Sequence, residues 1–340
     1  MTTLLLAVFT AAAAISWQPA LARPPLVVDE GLIEGAKKEQ KLVFYTTIDL
    51  PQMIQLVQDF MHKFPFLDLE IHPLETETLV KRVRYEYQMG VPGCDVMLGG
   101  GAPLQPLFDE RLLAPYHSPQ RDGLSEALAD NHGYWSGYYI NPYVLGFNTF
   151  RVTPDKTPKA YDDLIHSRWK GSQIAIDSTA HALLRGLTPI WGGQRAVDFL
   201  RRLAAQQPVM AQTSLGAVDS MHTGNVSLVI ARAPVIHGYK VKLSSPIEWV
   251  SLEPVIAQID AVMLSARSPH PNAARLFIDF ALSHEGQNAL SDVQQLPVRP
   301  AMKPPSKRSL EAQKWFLERP DRHADVQESI KLFREIFGIP

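Results

Sequence analysis

Apolar and polar positions alternate with two different periods along the first hundred residues. Residues 41–45 and 94–98 are short, mainly apolar runs that are typical of strands, and residues 67–71 alternate apolar and polar side chains like a further strand. Between them, residues 51–64 and 78–89 repeat apolar positions at helical spacing, and the second of these stretches is rich in charge. Strands and helices that alternate at this pace predict βαβ units, and therefore a mainly parallel sheet flanked by helices.

A long segment in the middle of the chain departs from this pattern. Residues 134–149 are rich in aromatic side chains and lack a helical period, so we expect an extended segment that passes between two domains. The alternation then resumes, with predicted strands at 172–176 and 226–231 and predicted helices at 182–191, at 271–282, from Ser283 onward and at 310–337. The pattern as a whole predicts two α/β units joined by extended chain.

The N-terminal segment has the pattern of an export signal. Residues 4–15 form a predominantly apolar run that is too short to span a bilayer as a helix. Ala20, Leu21 and Ala22 follow it and fit the A-x-A pattern of a cleavage site before Arg23. We therefore expect residues 1–22 to be a signal peptide and the mature chain to be exported. A buried N-terminal helix is the alternative.

Composition and charge exclude several classes of function. The 340 residues contain 33 Lys and Arg against 35 Asp and Glu, which gives a formal net charge of −2. The basic excess of a dedicated nucleic-acid-binding protein is therefore missing. Cys94 is the single cysteine, which excludes an intrachain disulfide and a multi-cysteine zinc site. In an oxidising compartment we expect its thiol to be buried.

Sequence motifs of enzymes are missing as well. The chain contains no G-x-S-x-G elbow, no Walker A loop and no G-x-G-x-x-G fingerprint. Its 11 histidines include no H-E-x-x-H pair, and the S-x-x-K match at 167–170 lacks the partner motifs of a penicillin-binding protein. We therefore predict a binding protein that performs no catalysis and uses neither a cofactor nor a metal.

Small and hydroxyl-bearing residues recur at four junctions along the chain. They are Thr46, Thr47, Gly99, Gly100, Gly101, Ser178, Thr179, Ala180, Thr213 and Ser214. Ligands of open parallel sheets collect at the carboxyl ends of strands, where helix N-termini present backbone N–H groups. Because two of these junctions precede the extended segment and two follow it, we expect them to line a cleft from both sides and to favour an anion. Helix capping is the alternative role for each junction.

Several further segments stand in an order that points to a known family. They are residues 94–96, 112–116, 134–139, 146–149, 163–164, 169–171, 224–226, 269–280 and 285–287. Together they span most of the mature chain and resemble the class II periplasmic solute-binding proteins of ABC importers, in the group that contains the ferric-ion-binding proteins. The resemblance implies two α/β lobes of the type II fold, crossing hinge strands between them, and a periplasmic location.

The resemblance also implies a division of the chain and a set of partners. Residues 23–138 with 259–300 would form the first lobe, and residues 139–258 with 301–340 the second, which ends in a C-terminal helix. We expect a monomer that closes around one small anionic solute and delivers it to the permease in the inner membrane. The solute would favour closure by binding the closed form more tightly. A periplasmic sensor that signals to a membrane receptor is an alternative.

The resemblance supplies a test for iron. Ferric-ion members of the family carry an adjacent tyrosine pair shortly after the strand that matches residues 226–231. This chain has Pro234 and Val235 at that place, and Tyr239 stands alone further on. Phenolate oxygens are hard anionic ligands that suit Fe(III), so their absence favours another ligand. A ferric-iron-binding transport protein is kept as the alternative.

Arg232, at the end of that strand, is the candidate counter-charge for an anion. A guanidinium offers a planar fork that matches a carboxylate or a phosphate, although a surface ion pair is the alternative role. We predict a phosphonate, a sugar phosphate or a carboxylate as the solute, with Tyr138 stacked on its organic part. Asp260 is expected near the hinge, in contact with the solute or supporting the hinge only. The predicted ligand-binding set is Thr46, Thr47, Gly100, Gly101, Tyr138, Ser178, Thr179, Ala180, Ser214, Arg232 and Asp260.

Overall fold

The computed structural model describes residues 26, 28–48, 50–122, 124–292, 295–299, 314–321 and 326–339. The predicted signal peptide, residues 1–22, lies outside the described residues. The strands, in chain order, are β1 (Lys41–Thr46), β2 (Asp68–Pro73), β3 (Val96–Gly100), β4 (Leu113–Ala114), β5 (Ser136–Asn148), β6 (Ile174–Asp177), β7 (Val209–Ala211), β8 (Leu228–Arg232), β9 (Ile247–Val250), β10 (Val255–Ser265), β11 (Leu296–Pro297) and β12 (Trp315–Glu318). The helices are α1 (Glu30–Glu39), α2 (Leu50–Lys63), α3 (Thr76–Gln88), α4 (Gln105–Asp109), α5 (Ala182–Trp191), α6 (Gly193–Ala204), α7 (Ser214–His222), α8 (Ala233–Lys242), α9 (Pro271–Leu282), α10 (His284–Asp292) and α11 (Val326–Phe337).

One continuous ladder of strands joins two half-sheets that share strand β5. The ladder runs β2-β1-β3-β10-β5-β8-β6-β7. Residues 136–142 of β5 pair with β10, and residues 143–148 pair with β8 and β9. We call the part from β2 to β10, with β4, β11 and β12, the first half-sheet, and the part from β8 to β7, with β9, the second half-sheet. The extended segment expected at 134–149 is thus confirmed as a strand that passes from one half-sheet to the other.

Parallel and antiparallel pairs are divided between the flanks and the centre of the ladder. Strand β1 pairs in parallel with β2 and β3, and β6 pairs in parallel with β7 and β8, as the alternation of strands and helices predicted. The long strands β5 and β10 run antiparallel to each other and to their outer neighbours β8 and β3. The antiparallel pairs therefore lie where the chain crosses between the half-sheets.

Buried apolar side chains form cores on both faces of each half-sheet. Phe44 and Phe277 pack on one face of the first half-sheet, with ring centroids 5.0 Å apart, while Tyr45 lies in the core of the other face. Ala175 and Ile176 divide in the same way between the two faces of the second half-sheet. Successive side chains of a strand point to opposite faces, so strands buried on both faces read as continuous apolar runs. The cores confirm the predicted α/β class with helices on both faces of the sheets.

Cys94 lies two residues before β3 and confirms the expected buried thiol. Its exposed fraction is 2%, and burial raises the pKa of the thiol well above its usual value. The thiol is therefore protonated at neutral pH. Among the helices that the structure describes, none combines the length and the apolar character needed to cross a membrane.

The C-terminal tail departs from the continuous helix expected at 310–337. Residues 315–318 form strand β12, which pairs in parallel with residues 255–258 of β10, and the helix of the described tail is α11. The helical prediction is therefore wrong over β12, because a ladder to a distant strand outweighs the local pattern. The lobe boundaries at 138/139 and 258/259 stay a prediction.

Candidate functional site

Ends of strands from both half-sheets meet at the crossing strands. Arg232, the last residue of β8, is the register partner of Tyr143 on β5. Asp260 of β10 pairs with Gly100 of β3 on one side and with Tyr139 of β5 on the other. Polar residues of both half-sheets are thereby brought to one place, which we call the candidate site.

Arg232 connects the two half-sheets through its side chain and its backbone. Its Nη2 donates to Oε1 of Gln258 at 2.6 Å, and its guanidinium carbon lies 4.7 Å from the centre of the Tyr143 ring, within range of a cation–π contact. Its backbone N–H donates to Oγ of Ser214 at 3.1 Å. Nη1 is buried and has no hydrogen-bond partner among the described residues. The guanidinium therefore has one buried amino group that is not used within the described part of the chain.

The positive charge of Arg232 is retained. Burial alone would lower the pKa of its guanidinium, but Tyr143, Asp260 and Asp177 around it raise that pKa above the usual value. A cation held in this way among acidic groups offers a fixed charge-assisted donor.

Asp177, the last residue of β6, occupies donors that the sequence assigned to a solute. Its Oδ1 accepts from the N–H and from the hydroxyl of Thr179, each at 2.8 Å, and its Oδ2 accepts from Oγ of Ser214. The N–H groups of Ser178 and Ala180 donate to backbone carbonyls at 2.8 and 2.9 Å. The expectation of free backbone donors at this junction is therefore wrong. The carboxylate instead fixes the geometry of the loop beside Arg232.

Thr46 and Thr47 serve the turn from β1 into α2. Thr46 is fully buried, and its Oγ1 accepts from the N–H of Ile48 at 2.9 Å and lies 3.2 Å from Sδ of Met53. The N–H of Thr47 donates to the carbonyl of Leu98 at 3.0 Å. The hydroxyl of Thr46 thus caps its own turn, and the structure does not bring it to the candidate site.

Gly100 and Gly101 provide room for side chains of the candidate site. A Cβ on Gly100 would lie 2.6 Å from Nε2 of Gln258 and 2.8 Å from Oδ1 of Asp260. A Cβ on Gly101, whose φ is +81°, would lie 3.1 Å from Oε1 of Gln258 and 3.2 Å from Oε2 of Glu318. These glycines therefore contribute space next to polar atoms, which only a residue without a side chain can do.

Tyr138 lies apart from the candidate site. Its side chain is 1% exposed and belongs to the core of the first half-sheet, with its ring centroid 5.7 Å from that of Tyr139. The ring that stacks on the guanidinium is that of Tyr143, whose hydroxyl donates to the carbonyl of Thr179 at 3.1 Å. The pairing of β5 with β10 shifts register at Tyr138, between the partners of Asp260 and Ala261, so the alternation of side chains along β5 is interrupted there.

Asp260 is a buried carboxyl whose partners lie on β5 and β10. It is 3% exposed, it accepts a hydrogen bond from the hydroxyl of Tyr139, and its oxygens lie 3.4 Å from Nδ2 of Asn141 and 3.5 Å from Nε2 of Gln258. Burial raises its pKa to about 6, against the opposing effect of Arg232. Asp260 therefore titrates close to neutral pH, as groups at functional sites often do.

Three further residues of the candidate site were missed from the sequence. Nε of Arg185 donates to Oε1 of Glu318 at 2.7 Å, and these side chains are 6% and 0% exposed. His181 precedes α5 and has a buried Nδ1 without a partner in the described part of the chain. Burial lowers the pKa of His181 well below its usual value, and Arg185 and Arg232 lower it further, so the ring is neutral at neutral pH. A lone charge in an otherwise apolar helix was the available signal for Arg185, whereas Glu318 gave none.

The described residues do not form a metal centre. They contain no group of three or more His, Cys, Asp or Glu side chains that could hold a metal ion. Pro234, where ferric-ion members carry the first tyrosine, lies buried in the first turn of α8. The tyrosine ligand set of those members is therefore not reproduced at this position.

A separate cavity of about 640 Å³ lies at the other end of α5, between Trp191 and the start of α6. Its lining includes Arg195 and Asp162, which form an ion pair of 3.5 Å with both side chains more than half exposed. Its lining residues carry no unpartnered buried side-chain atom, in contrast to those of the candidate site. The candidate site at the strand ends is therefore a stronger candidate for a binding site than this cavity.

Two α/β half-sheets that share crossing strands and meet at a polar site define the architecture of a type II periplasmic binding protein. The chain belongs to the bacterial extracellular solute-binding protein family, whose sequence model matches residues 94–318. This is a family of binding proteins, which agrees with the expectation from the missing enzyme motifs.

Individual relatives support the family and the fold. An uncharacterized protein of Haemophilus influenzae is 27% identical over 221 residues, which are 60% of this chain and 62% of that relative's length. Iron-bound HitA from Pseudomonas aeruginosa superposes with a TM-score of 0.75 at 19% identity, over 87% of this chain and 99% of its own. AfuA from Actinobacillus pleuropneumoniae, with exogenous fructose-6-phosphate bound, gives a TM-score of 0.73 at 20% identity, over 88% and 99% of the two chains. At these identities the two structures bear on the fold alone.

Proposed function

We propose that this chain is the periplasmic receptor of an ABC importer, and that it captures a small organic anion at the candidate site and delivers it to the membrane permease. The observation that carries the proposal is the buried Nη1 of Arg232, which has no hydrogen-bond partner in the part of the chain that the structure describes. A charged donor in that position lacks the hydrogen bond that buried polar atoms nearly always make. An anion supplies it, together with a counter-charge.

The chemistry of the candidate site favours an organic anion over ferric iron. The fold accommodates both kinds of ligand, since HitA is iron-bound and AfuA has fructose-6-phosphate bound. In this chain a fixed guanidinium occupies the site and would repel a metal cation. The Tyr143 ring beside it offers an apolar surface for the organic part of the solute.

Binding and closure would be linked through the crossing strands. Arg232 belongs to the second half-sheet, whereas its partner Gln258 lies on β10 of the first half-sheet. Oε1 of Gln258 is 3.1 Å from the position that a Cβ on Gly101 would take. A solute held by Arg232 can therefore contact both half-sheets only when they are close together. The solute stabilises that closed form in proportion to its differential affinity, and the permease would recognise the closed form.

Thermal unfolding of ligand-stripped protein tests the proposal. The panel consists of inorganic phosphate, propyl phosphate, glycerol 3-phosphate, propionate, spermidine and ferric citrate. A true ligand at about 100 times its dissociation constant adds roughly 2.7 kcal/mol to the free energy of unfolding, so the midpoint rises by several degrees. We expect such a rise with at least one organic anion. Stabilisation by ferric citrate or spermidine alone would contradict the proposal.

A pair of arginine variants identifies the site. Arg232→Ala should abolish the rise, whereas Arg195→Ala should preserve it, because Arg195 also stacks on an aromatic ring, at 4.7 Å from Trp191, but lies outside the candidate site. An unchanged rise in Arg232→Ala would show that the anion binds elsewhere. Uptake of the bound anion into vesicles that contain the permease separates an importer from a sensor.

A further inference from the structure

Arg185 and Glu318 form a buried ion pair in which each partner keeps an unused hydrogen-bonding atom. Nε of Arg185 donates to Oε1 of Glu318 at 2.7 Å, and Nη2 donates to the same oxygen. Oε2 of Glu318 and Nη1 of Arg185 are buried and have no partner among the described residues. Because buried polar atoms are nearly always hydrogen-bonded, these two atoms call for a partner that the described part of the chain does not supply.

The free oxygen of Glu318 lies beside the candidate site. The position of a Cβ on Gly101 is 3.2 Å from this Oε2 and 3.1 Å from Oε1 of Gln258. Gln258 accepts from Arg232, and Gln258 and Glu318 are register partners on β10 and β12. An acceptor without a partner therefore stands next to the residue that holds the anion-binding guanidinium.

A hydroxyl group fits this acceptor better than a cation does. The charge of Glu318 is already matched by Arg185, so an ammonium group would approach a guanidinium at short range. A hydroxyl is neutral and both donates and accepts, whereas an ammonium only donates. It can therefore supply the missing donor without adding a charge.

We propose that Glu318 is a specificity-determining residue that accepts a hydrogen bond from a hydroxyl group of the solute, with Arg185 as the residue that positions it. The inference rests on the proposed function and narrows it to a small organic anion that carries a hydroxyl group. Oε2 is sealed from solvent in this structure, so the hydroxyl reaches it when the half-sheets separate and is enclosed when they close.

Two pairs of ligands that differ only in hydroxyl groups test the inference. Isothermal titration of the whole protein compares propyl phosphate with glycerol 3-phosphate, and propionate with glycerate. We expect the hydroxylated member of at least one pair to bind about tenfold more tightly or better, because hydrogen bonds to charged groups are the strong ones. If neither member of either pair binds, the proposed function fails. If both members bind equally, only this inference fails, and water completes the ion pair.

A double variant separates recognition from structure. Replacing Arg185→Met together with Glu318→Leu removes both charges and so avoids an unpaired buried ion. We expect it to lose the preference for glycerol 3-phosphate over propyl phosphate, measured as the ratio of the two dissociation constants. A merely structural pair would change the unfolding midpoint and leave the preference intact, which would overturn the inference.

Two further variants keep the test decisive. Arg319→Met with Asp321→Leu removes a neighbouring ion pair of 2.9 Å on the same segment and should leave the preference unchanged. Glu318→Gln serves if the double variant does not fold, since it replaces the charged acceptor by a neutral one. The preference should then fall about threefold or more, and an unchanged preference in Glu318→Gln would contradict the role of Glu318.

Discussion

Buried polar groups directly before β3 and those at the candidate site differ in their hydrogen-bond partners. Asp95, which precedes β3, is fully buried and accepts four hydrogen bonds of 2.6 to 2.8 Å from groups of Val43, Ser268 and His270. At the candidate site, Arg232, Arg185 and Glu318 each keep a buried polar atom without a partner in the described residues. Buried polar groups with partners inside the protein stabilise the fold, whereas those without them are expected to take a partner from outside. The comparison therefore separates a structural cluster around Asp95 from the candidate binding groups at the crossing strands.

Two buried aspartates differ in their supply of donors. Asp95 accepts short bonds from both backbone and side-chain donors, whereas Asp260 accepts from Tyr139 and has long contacts, of 3.4 and 3.5 Å, to Asn141 and Gln258. The pKa of Asp260 rises to about 6 because burial outweighs the opposing effects of Arg232 and of these donors.

The largest expected effect is on stability, from Asp95→Ala. The change leaves the donors of Val43, Ser268 and His270 without their acceptor, so the free energy of unfolding should fall by about 4 kcal/mol. Urea denaturation measures this loss, and the exposed Asp162→Ala should stay within about 0.5 kcal/mol of the parent. The folded fraction should bind its organic anion within about twofold of the parent. A tenfold weaker affinity would mean that the cluster around Asp95 also shapes the candidate site.

The second effect is a pH dependence that Asp260→Asn should remove. The folded chain holds the proton of Asp260 up to about pH 6, whereas the unfolded chain releases it near 3.8. The stability that this proton contributes is therefore present below pH 3.8 and is lost as the pH rises through about 6, a decline of about 2 to 3 kcal/mol. The variant cannot titrate there and should lack this decline. Urea midpoints of both proteins, measured at several pH values between 3.8 and 6, test this prediction. Parallel curves would show that folding does not raise the pKa of Asp260.

The third effect is on affinity, from Ser214→Ala. Its Oγ accepts from the backbone N–H of Arg232 and donates to Asp177, so its removal loosens the guanidinium. We expect affinity for the anion to fall about tenfold, or roughly 1.4 kcal/mol. Thr213→Ala is the matched control, because its hydroxyl caps α7 by accepting from Gly216 at 3.2 Å. That variant should lose about 1 kcal/mol of stability and keep its affinity. Equal affinities in both variants would remove Ser214 from the site.

The fold was largely predictable because its elements have strong local patterns. Helices α5 and α9 begin and end where their apolar spacing predicted, and the crossing strand β5 was visible as a long aromatic segment without a helical period. Strand β12 was not predictable, because four residues without a turn signal gain their structure from pairing with β10. The pattern also predicted two α/β units joined by extended chain, and the resemblance to a family added the type II fold with crossing hinge strands.

The candidate site was predictable only in part. Arg232 and Ser214 were singled out because they lie at or after the ends of strands, where parallel sheets gather polar groups, whereas Asp260 lies in the middle of β10 and was singled out by its expected place near the hinge. The sequence could not show that the Asp177 carboxylate would accept from the N–H and the hydroxyl of Thr179, because that depends on one side-chain rotamer. Nor could the sequence predict that Glu318 pairs with Arg185, since 133 residues separate them.

The smallest expected effect concerns Thr46, a residue that the strand-end argument assigned to the solute. Its hydroxyl accepts from the N–H of Ile48 at 2.9 Å inside the turn after β1, and the side chain is fully buried. Thr46→Val keeps the shape and removes the acceptor, so unfolding should become easier by about 1 kcal/mol while affinity for the anion stays the same. Urea denaturation and isothermal titration on one preparation measure both quantities. A loss of affinity without a loss of stability would show instead that Thr46 belongs to the candidate site.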